Sequence, residues 1–384
     1  MGGRLEERSS LSASSSKRRR RRRRDDDYAK PMTRRPRRRK QHLYLALDDW
    51  NGGYSIHKLD VDDILEQEPG GEHKLPEPAA VRIASPVRGP MAFAALGTNM
   101  FISTNSRSYG ERAPPTLVYD TETSALAAGP RVPDNLCDLG DAMAVGEALY
   151  ALTTVPYPEY SSLHALSWAP TAIPDHEPWD PAMEWSWNTV PLPLPLPYKG
   201  IDIITYALHP DGRTIFMSTG FSSYSFDTSS NGVGVWKELG DWVLPFRGPA
   251  FFDAELDAWV GLHRMYSGYV CCCPVASRST TATRPPECRM LMEKLFRRKE
   301  EDPKHWPLLR GKETSLIYMG NSRFALFENI LHSEHVNHGS LLHITLFGLK
   351  YDHKGELRTK VQRATRSYEV SKNTPMFSHA AFWM

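Results

Sequence analysis

No apolar run in the chain approaches the roughly 18 residues that a membrane-spanning helix needs, and no apolar leader follows Met1. Asn-x-Ser/Thr acceptor sites are also absent. Secretion and membrane insertion are therefore not expected, and the chain is expected in the nucleus or cytoplasm. Cysteine is scarce and odd in number: of five residues, Cys271, Cys272 and Cys273 are adjacent, with Cys137 and Cys288 apart. Neighbours on one strand point to opposite faces, which excludes an ordinary disulfide framework and predicts a reducing compartment. Stretches with a 3.6-residue apolar period are missing from nearly the whole chain, and the best helix candidate, "MLMEKLFRRKEE" from Met290, is short. Missing as well are a Ser-His-Asp order, a phosphate-cradling glycine loop and a zinc-protease motif, so no enzyme class is indicated.

What is present is uneven in charge. The formal net charge of +2 conceals 17 Lys or Arg against 5 Asp or Glu in residues 1–40, and 30 against 40 in the remaining 344. The first segment combines "SSLSASSS", "KRRRRRRR", "DDD" and "RRPRRRK" with almost nothing apolar, a composition that predicts disorder. A body near −10 should repel phosphate backbones over most of its surface.

From Gln41 the texture becomes short β-type runs parted by glycine turns, beginning with "HLYLALDD" and "GYSIHKLD" around "WNGG". A unit then repeats: "FAALGTNMFIST" from Phe93, "MAVGEALYALTT" from Met143, "LHPDGRTIFMST" from Leu208, "FDAELDAWVGLH" from Phe252 and "IYMGNSRFALFE" from Ile317. Four of these five place a glycine four residues before an aromatic: Gly97 and Phe101, Gly146 and Tyr150, Gly212 and Phe216, Gly320 and Phe324. The fifth has Glu255 ahead of Trp259. Glycine supplies the positive φ of a tight reversal, and the aromatic returns as a plug for the interface beneath. Further strands end in an aromatic and an aspartate, "VYDT" at Val118, "SFDT" at Ser225 and "KYDH" at Lys350, and fourth strands are available in "ALAAGPRVP", "WSWNTVPLP" and "VWKELGDWVLP".

Two hairpins per unit, repeated every 40 to 65 residues, predict four-stranded antiparallel blades and hence an all-β propeller. Five blades follow from the five units. The segment from His42 to Ala84 offers only three strands, and "HAAFWM", His379 to Met384, resembles the first strands elsewhere. The C-terminus is therefore expected to complete the N-terminal blade and close a ring of six; a seventh blade within residues 156–200 or 275–315 is the alternative. Small residues in the first strands, Ala92, Ala94, Ala142, Ala250 and Ala380, suit the crowded neighbourhood of an axis.

The phrases "HLYLALDDWNGGYSIHKLDVDDI", "LPEPAAVRI", "FAALGTNMF", "LVYDTETSAL" and "LFGLKYDHKGELRT" make the chain resemble a grass-expanded family of plant proteins built on a domain of unknown function, over His42 to Met384. The resemblance implies a propeller similar to kelch and F-box-associated ones, often behind an arginine-rich N-terminus. It implies no activity and no catalytic residues. An F-box is not expected, because the 40 residues before the first strand are too few and too charged.

Each candidate site has a plainer reading beside it. His332, His335 and His338, with Glu334 and His343, have spacing that suits zinc or nickel, or else form a solvated loop. The cysteine triplet is a thiolate or acylation site, or else buried strand residues, with Cys288 held away across a loop. "VPLPLPLPY", Val190 to Tyr198, is a polyproline ligand or a stiff connection. Asp48 with Asp49, and Asp62 with Asp63, are acid–base pairs or solvated turn residues. Two basic clusters, Lys17, Arg18, Arg19, Arg20 and Arg21, and Arg34, Arg35, Arg37, Arg38, Arg39 and Lys40, are of the kind that importin reads and that holds nucleic acid without sequence preference; the plainer reading is a low-complexity tail. The function expected is a non-catalytic protein-interaction module without cofactor or metal, binding a protein partner. The alternatives are a propeller enzyme with side chains gathered at the channel mouth and a nucleic-acid binder acting through residues 1–40.

Overall fold

Alternation between two buried faces explains why the apolar runs become strands. In Leu43–Trp50, the side chains of Leu43, Leu45 and Leu47 pack toward one neighbouring sheet, while Tyr44 and Ala46 pack toward another. With both faces covered, the strand reads as a nearly unbroken apolar run. Val270–Pro274 obeys the same rule: Cys271 and Cys273 share a cluster with Phe246 and Trp259, and Cys272 joins one with Phe324 and Leu326.

The computed structural model describes residues 40–50, 52–66, 71–84, 91–104, 114–134, 136, 139, 142–152, 163–171, 182–190, 203–229, 236–266, 268–276, 285–296, 314–331, 340–370 and 377–384. Within them the fold is all-β, and sets of four antiparallel strands recur six times. The first set is Leu43–Trp50, Gly53–Leu59 and Val81–Ala84, with the C-terminal strand His379–Trp383 beside Leu43–Trp50. The second is Met91–Leu96, Asn99–Thr104, Leu117–Asp120 and Leu126–Ala128; the third is Met143–Val145, Ala148–Leu152, Leu163–Pro170 and Met183–Val190. The fourth comprises Thr205–Leu208, Thr214–Ser218, Ser223–Asp227 and Lys237–Gly240, and the fifth Phe246–Asp253, Ala258–His263, Val270–Pro274 and Arg289–Met290. Thr314–Tyr318, Arg323–Leu331, Ser340–Tyr351 and Leu357–Val370 make the sixth. The first strands of the fourth and fifth sets pair in parallel, Thr205 with Gly248 and Ala207 with Ala250.

Six apolar clusters lie between the sets. One joins the first and second sets through Tyr54, Ile56, Phe93 and Met100, and the next joins the second and third through Phe101, Val118, Leu149 and Leu166. Others join the third to the fourth, the fourth to the fifth and the fifth to the sixth. The remaining cluster returns from Phe327, Leu342 and Ile344 of the sixth set to Leu43, Leu45 and Leu47 of the first. Packing order is therefore cyclic. The aromatics expected as plugs lie in these interfaces, with Phe101, Phe216, Trp259 and Phe324 fully buried and Tyr150 partly so.

Turn chemistry follows the repeat. Gly97, Gly146, Gly212 and Gly320 all adopt positive φ, between 59° and 80°, and a Cβ at any of them would meet open space, so it is backbone conformation that requires glycine there. In the fifth set the left-handed residue is Asp257, at φ 48°, two positions after Glu255.

Three expectations are corrected. The helix expected from Met290 is not formed at Leu291–Phe296, where Leu291 and Leu295 are instead buried between the fifth and sixth sets; its remainder lies outside the described residues. The α-helix among the described residues is Val61–Glu66, whose Val61 and Ile64 enter the cluster between the sixth and first sets. Asp62 and Asp63 are thus exposed in the first turn of a helix, where they complement its dipole, and not in a hairpin turn. Lastly, the segment from His42 to Ala84 holds a strand beyond the three expected: Glu72–Lys74 adds in parallel to the outer edge of Leu357–Val370.

Candidate interaction surface

Large apolar side chains at turns are the feature that folding alone does not explain. Phe221, Met265, Tyr266 and Met292 are 72%, 69%, 59% and 70% exposed, and they come from three segments that contacts join into one rim. Phe221 sits in the turn between the second and third strands of the fourth set, closed by Thr219 N donating to Ser222 O at 3.0 Å. Ser222 Oγ donates to Asp241 Oδ1 at 3.3 Å, which ties this turn to the connection 241–245. That connection is anchored from below by a buried serine pair: Ser218 Oγ and Ser223 Oγ are 2.7 Å apart, Ser223 Oγ donates to Trp242 O, and Leu244 N donates to Ser218 Oγ.

The corresponding turn of the fifth set follows directly. Arg264 N donates to Pro245 O at 2.9 Å, and the amides of Met265 and Tyr266 both donate to His263 Nδ1, at 3.1 and 3.0 Å. An imidazole nitrogen accepting two amides has no proton of its own, and burial, helped by the Arg264 charge, holds the His263 pKa below its ordinary value. The Tyr266 ring lies 5.0 Å from the His263 ring. Gly268, at φ +89°, brings the turn so close to the segment after Met290 that a Cβ would stand 2.9 Å from Lys294 Cε and 3.2 Å from Phe296 Cβ. That segment is fixed to the sixth set by Thr359 Oγ1 on Glu293 Oε2 at 3.0 Å and by an ion pair of Arg363 with Glu293. Leu291 and Leu295 point inward and Met292 outward. Hydrogen-bonded loops thus present four apolar groups, with the exposed cation Arg247 on the strand Phe246–Asp253 paired to Leu262.

Other expected sites fare differently. His332, His335 and His338, Glu334, Cys137, the proline run beyond Val190, and the clusters Lys17 to Arg21 and Arg34 to Arg39 lie outside the described residues; Lys40 is described and exposed. His343 is on the strand Ser340–Tyr351, buried, with Nδ1 2.6 Å from Ser367 Oγ. Among the described residues no group of three or more His, Cys, Asp or Glu is placed to hold a metal. The cysteine triplet is buried on its strand, and Cys272 meets the Tyr351 hydroxyl at 3.4 Å. Cys288 is not held away, however; it is exposed and directly precedes the strand Arg289–Met290, which pairs with Cys271 and Cys272. Asp48 and Asp49 do not form a solvated pair either, since Asp49 Oδ2 lies 3.3 Å from Nε2 of the buried His57, whose Nδ1 faces Pro76 O at 3.1 Å. Burial opposes ionisation of Asp49, but hydrogen bonds from His57 and Ser55 and the His57 charge outweigh it and keep the carboxyl below its usual range. A second polar pair links the first strands of the sixth and first sets: Ser315 Oγ and His379 Nε2 are 2.8 Å apart, and burial lowers His379 to about 4.

Sequence reading missed the rim because single apolar residues in "GFSS", "RMYSG" and "RMLME" carry no period. Their signal is a large side chain placed where a turn ordinarily exposes a polar one.

These sheets and turns define an all-β protein whose conspicuous surface is made of loops. The chain belongs to the family described as a protein of unknown function (DUF1668), whose model matches residues 40–368. No curated protein matches the sequence. Among solved structures, a Bacteroides uniformis protein provisionally named a 6-phosphogluconolactonase is similar at 11% identity and TM-score 0.42, over 89% of this chain and 100% of that one. The WD40 domain of SCAP from fission yeast is similar at 8% identity and TM-score 0.32, over 84% and 73%, and Kluyveromyces lactis Hsv2 at 9% and 0.34, over 81% and 92%. No helix of the described residues is long and apolar enough to cross a membrane.

Proposed function

We propose that the chain is a non-catalytic protein-interaction module: a six-bladed, kelch-like β-propeller, closed by its C-terminal strand, that binds a protein partner across the rim of Phe221, Met265, Tyr266 and Met292. The cyclic order of the six interface clusters and the pairing of His379–Trp383 with Leu43–Trp50 support the ring. The observation that carries the function is the rim itself. Four large apolar side chains, each more than half exposed on loops that hydrogen bonds fasten to the sheets, match the apolar anchors of a protein interface.

The basic clusters of residues 1–40 are proposed to serve importin recognition, with sequence-independent polyanion binding as their other property. The test of the module is a comparison of proteins captured by full-length chain and by a variant carrying F221S, M265S, Y266S and M292S. Because these are surface changes, stability should stay within about 0.5 kcal/mol per site. Partners should disappear with the rim while the melting temperature holds. An unchanged set of partners on the folded variant removes the rim from the function.

A further inference from the structure

The outer edge of a four-stranded sheet is open backbone, and five of the six sets blunt theirs. Val81–Ala84, Leu126–Ala128, Lys237–Gly240 and Arg289–Met290 run for only two to four residues, three of them with a cation. Leu357–Val370 carries Arg358, Lys360 and Arg363 outside the stretch that Glu72–Lys74 covers. The third set has no such protection. Met183–Val190 is eight residues long, contains no Lys, Arg or Pro, has no outer neighbour among the described residues, and buries none of its side chains. Its two faces are unlike. Trp185 and Trp187 turn toward the second set, where the Trp185 ring lies 4.8 Å from Phe101 and 5.3 Å from Trp168, and alternation puts Met183 and Thr189 beside them. Glu184, Ser186 and Asn188 face the other way, and Glu184 is the strand's one charge. Trp168 and Met183, 52% and 40% exposed, leave the apolar face uncovered.

Which backbone groups point outward follows from the ladder. Thr171 N donates to Ala182 O at 2.7 Å, and hydrogen-bonded pairs recur at every second residue, so Glu184, Ser186, Asn188 and Val190 bond inward to Leu163–Pro170. The amides and carbonyls of Met183, Trp185, Trp187 and Thr189 therefore point outward. We infer that this edge pairs antiparallel with the same strand of a second copy of the chain, about a two-fold axis at Ser186. A strand added here must be apolar on the tryptophan face, polar on the other, free of acid opposite Glu184, and able to bond four outward residues in step. Met183–Val190 meets each demand itself. Centred on Ser186, the register sets Met183 against Thr189 and Trp185 against Trp187 as hydrogen-bonded pairs, so every outward amide and carbonyl is satisfied and indole rings meet across the seam. Registers centred on Trp185 or Trp187 each leave one outward residue unbonded. Glu184 falls opposite Asn188, whose side-chain amide can donate to the carboxylate, and no like charges meet. The contact is isologous, and it is separate from the rim, which lies on turns of the fourth and fifth sets and on the segment after Met290.

The test measures the mass of the full-length chain by sedimentation velocity at concentrations up to about 100 μM, beyond the micromolar end of protein interfaces. About 0.5 M salt keeps residues 1–40 from bridging copies through charge. Mass should double reversibly with concentration. The variant carrying F221S, M265S, Y266S and M292S should dimerise as wild type does, which separates this surface from the rim. Ser186 opposes its own copy in a non-hydrogen-bonded pair, where Cα atoms lie about 4.5 Å apart and within disulfide reach. S186C should therefore give, with diamide, a cross-link between position 186 of two copies, mapped on non-reduced peptides; N188C, which faces Glu184, should not link to itself. A chain that keeps the mass of one copy at the highest concentration overturns the proposal. So does a dimer that is lost in the rim variant, or one in which N188C links as readily as S186C.

Discussion

A single aspartate position recurs at the end of the third strands and acts as a turn cap. Asp120 accepts from Glu122 N and Thr123 Oγ1, Asp227 from the amide and hydroxyl of Ser229, and Asp352 from the amides of Lys354 and Glu356. An aspartate bonding two residues onward imitates a backbone turn, which explains why "VYDT", "SFDT" and "KYDH" share it. The Ser229 hydroxyl and amide hold the Asp227 carboxyl below its usual range. Replacing Asp227 by Ala should cost about 1 kcal/mol at neutral pH, the scale of an ordinary hydrogen bond, less for solvent screening. Since the folded value is depressed, the contribution is complete above the unfolded carboxylate value near 4 and fades as pH falls through the folded one, so denaturant midpoints of D227A and wild type should converge in acid. Trp259 works at the opposite extreme of burial. It is fully enclosed, 5.0 Å from the Phe216 ring, and its Nε1 donates to Leu208 O at 2.8 Å. Trp259→Ala should therefore cost about 3–5 kcal/mol by urea unfolding. Both positions were legible in the sequence as repeat features. The Asp49–His57 contact was not, because a pairing across two strands depends on register, which short sequence phrases leave open.

At the scale of elements, the sequence revealed strands that alternate against a core and hid those that do not. "HAAFWM" was readable as a first strand because its residues match the small and aromatic pattern of the others, and it pairs from Leu43 with Trp383 to Leu47 with His379. Glu72–Lys74 had no such signal: "EHK" is polar and short, and its place is fixed by a partner, with His73 Nε2 3.3 Å from Arg366 Nη1. Two tethers thus join the ends of the cycle, one through His379–Trp383 and one through the helix Val61–Glu66 and Glu72–Lys74. They differ in what removal exposes. A chain ending at Lys372 loses a full ladder beside Leu43–Trp50, uncovers Tyr44 and Ala46, and takes buried Ala381 and Phe377 from the cluster between the sixth and first sets. Cooperative melting should be lost or shifted down steeply. Ile64→Ser, by contrast, removes one buried side chain from the cluster of the sixth and first sets and should lower stability by about 2–4 kcal/mol without abolishing folding. A Lys372 truncation that melts like the full chain would refute closure by the C-terminal strand.

For the whole molecule, charge divides what packing does not. Residues 1–40 hold 17 of the 47 Lys and Arg, and the remaining chain carries ten more acids than bases. Binding to RNA or DNA through phosphates gains from counterion release, and that gain scales with the cations that touch the backbone. A net-negative body works against the same contacts at long range, more so as ionic strength falls and screening weakens. Full-length protein should consequently bind a mixed RNA with an affinity that drops steeply between 50 and 200 mM salt and is indifferent to sequence, a range over which multiple phosphate contacts typically lose about a thousandfold. Residues 41–384 should show no binding at physiological salt, and residues 1–40 fused to a neutral reporter should reproduce the full-length curve. The rim makes the complementary demand, because its apolar groups gain from burial and not from counterions; partner capture by residues 41–384 should persist at salt that has already released RNA. If the body alone still retains RNA at 150 mM salt, a specific phosphate-binding surface must exist among the loops, and the division of labour drawn from charge is wrong.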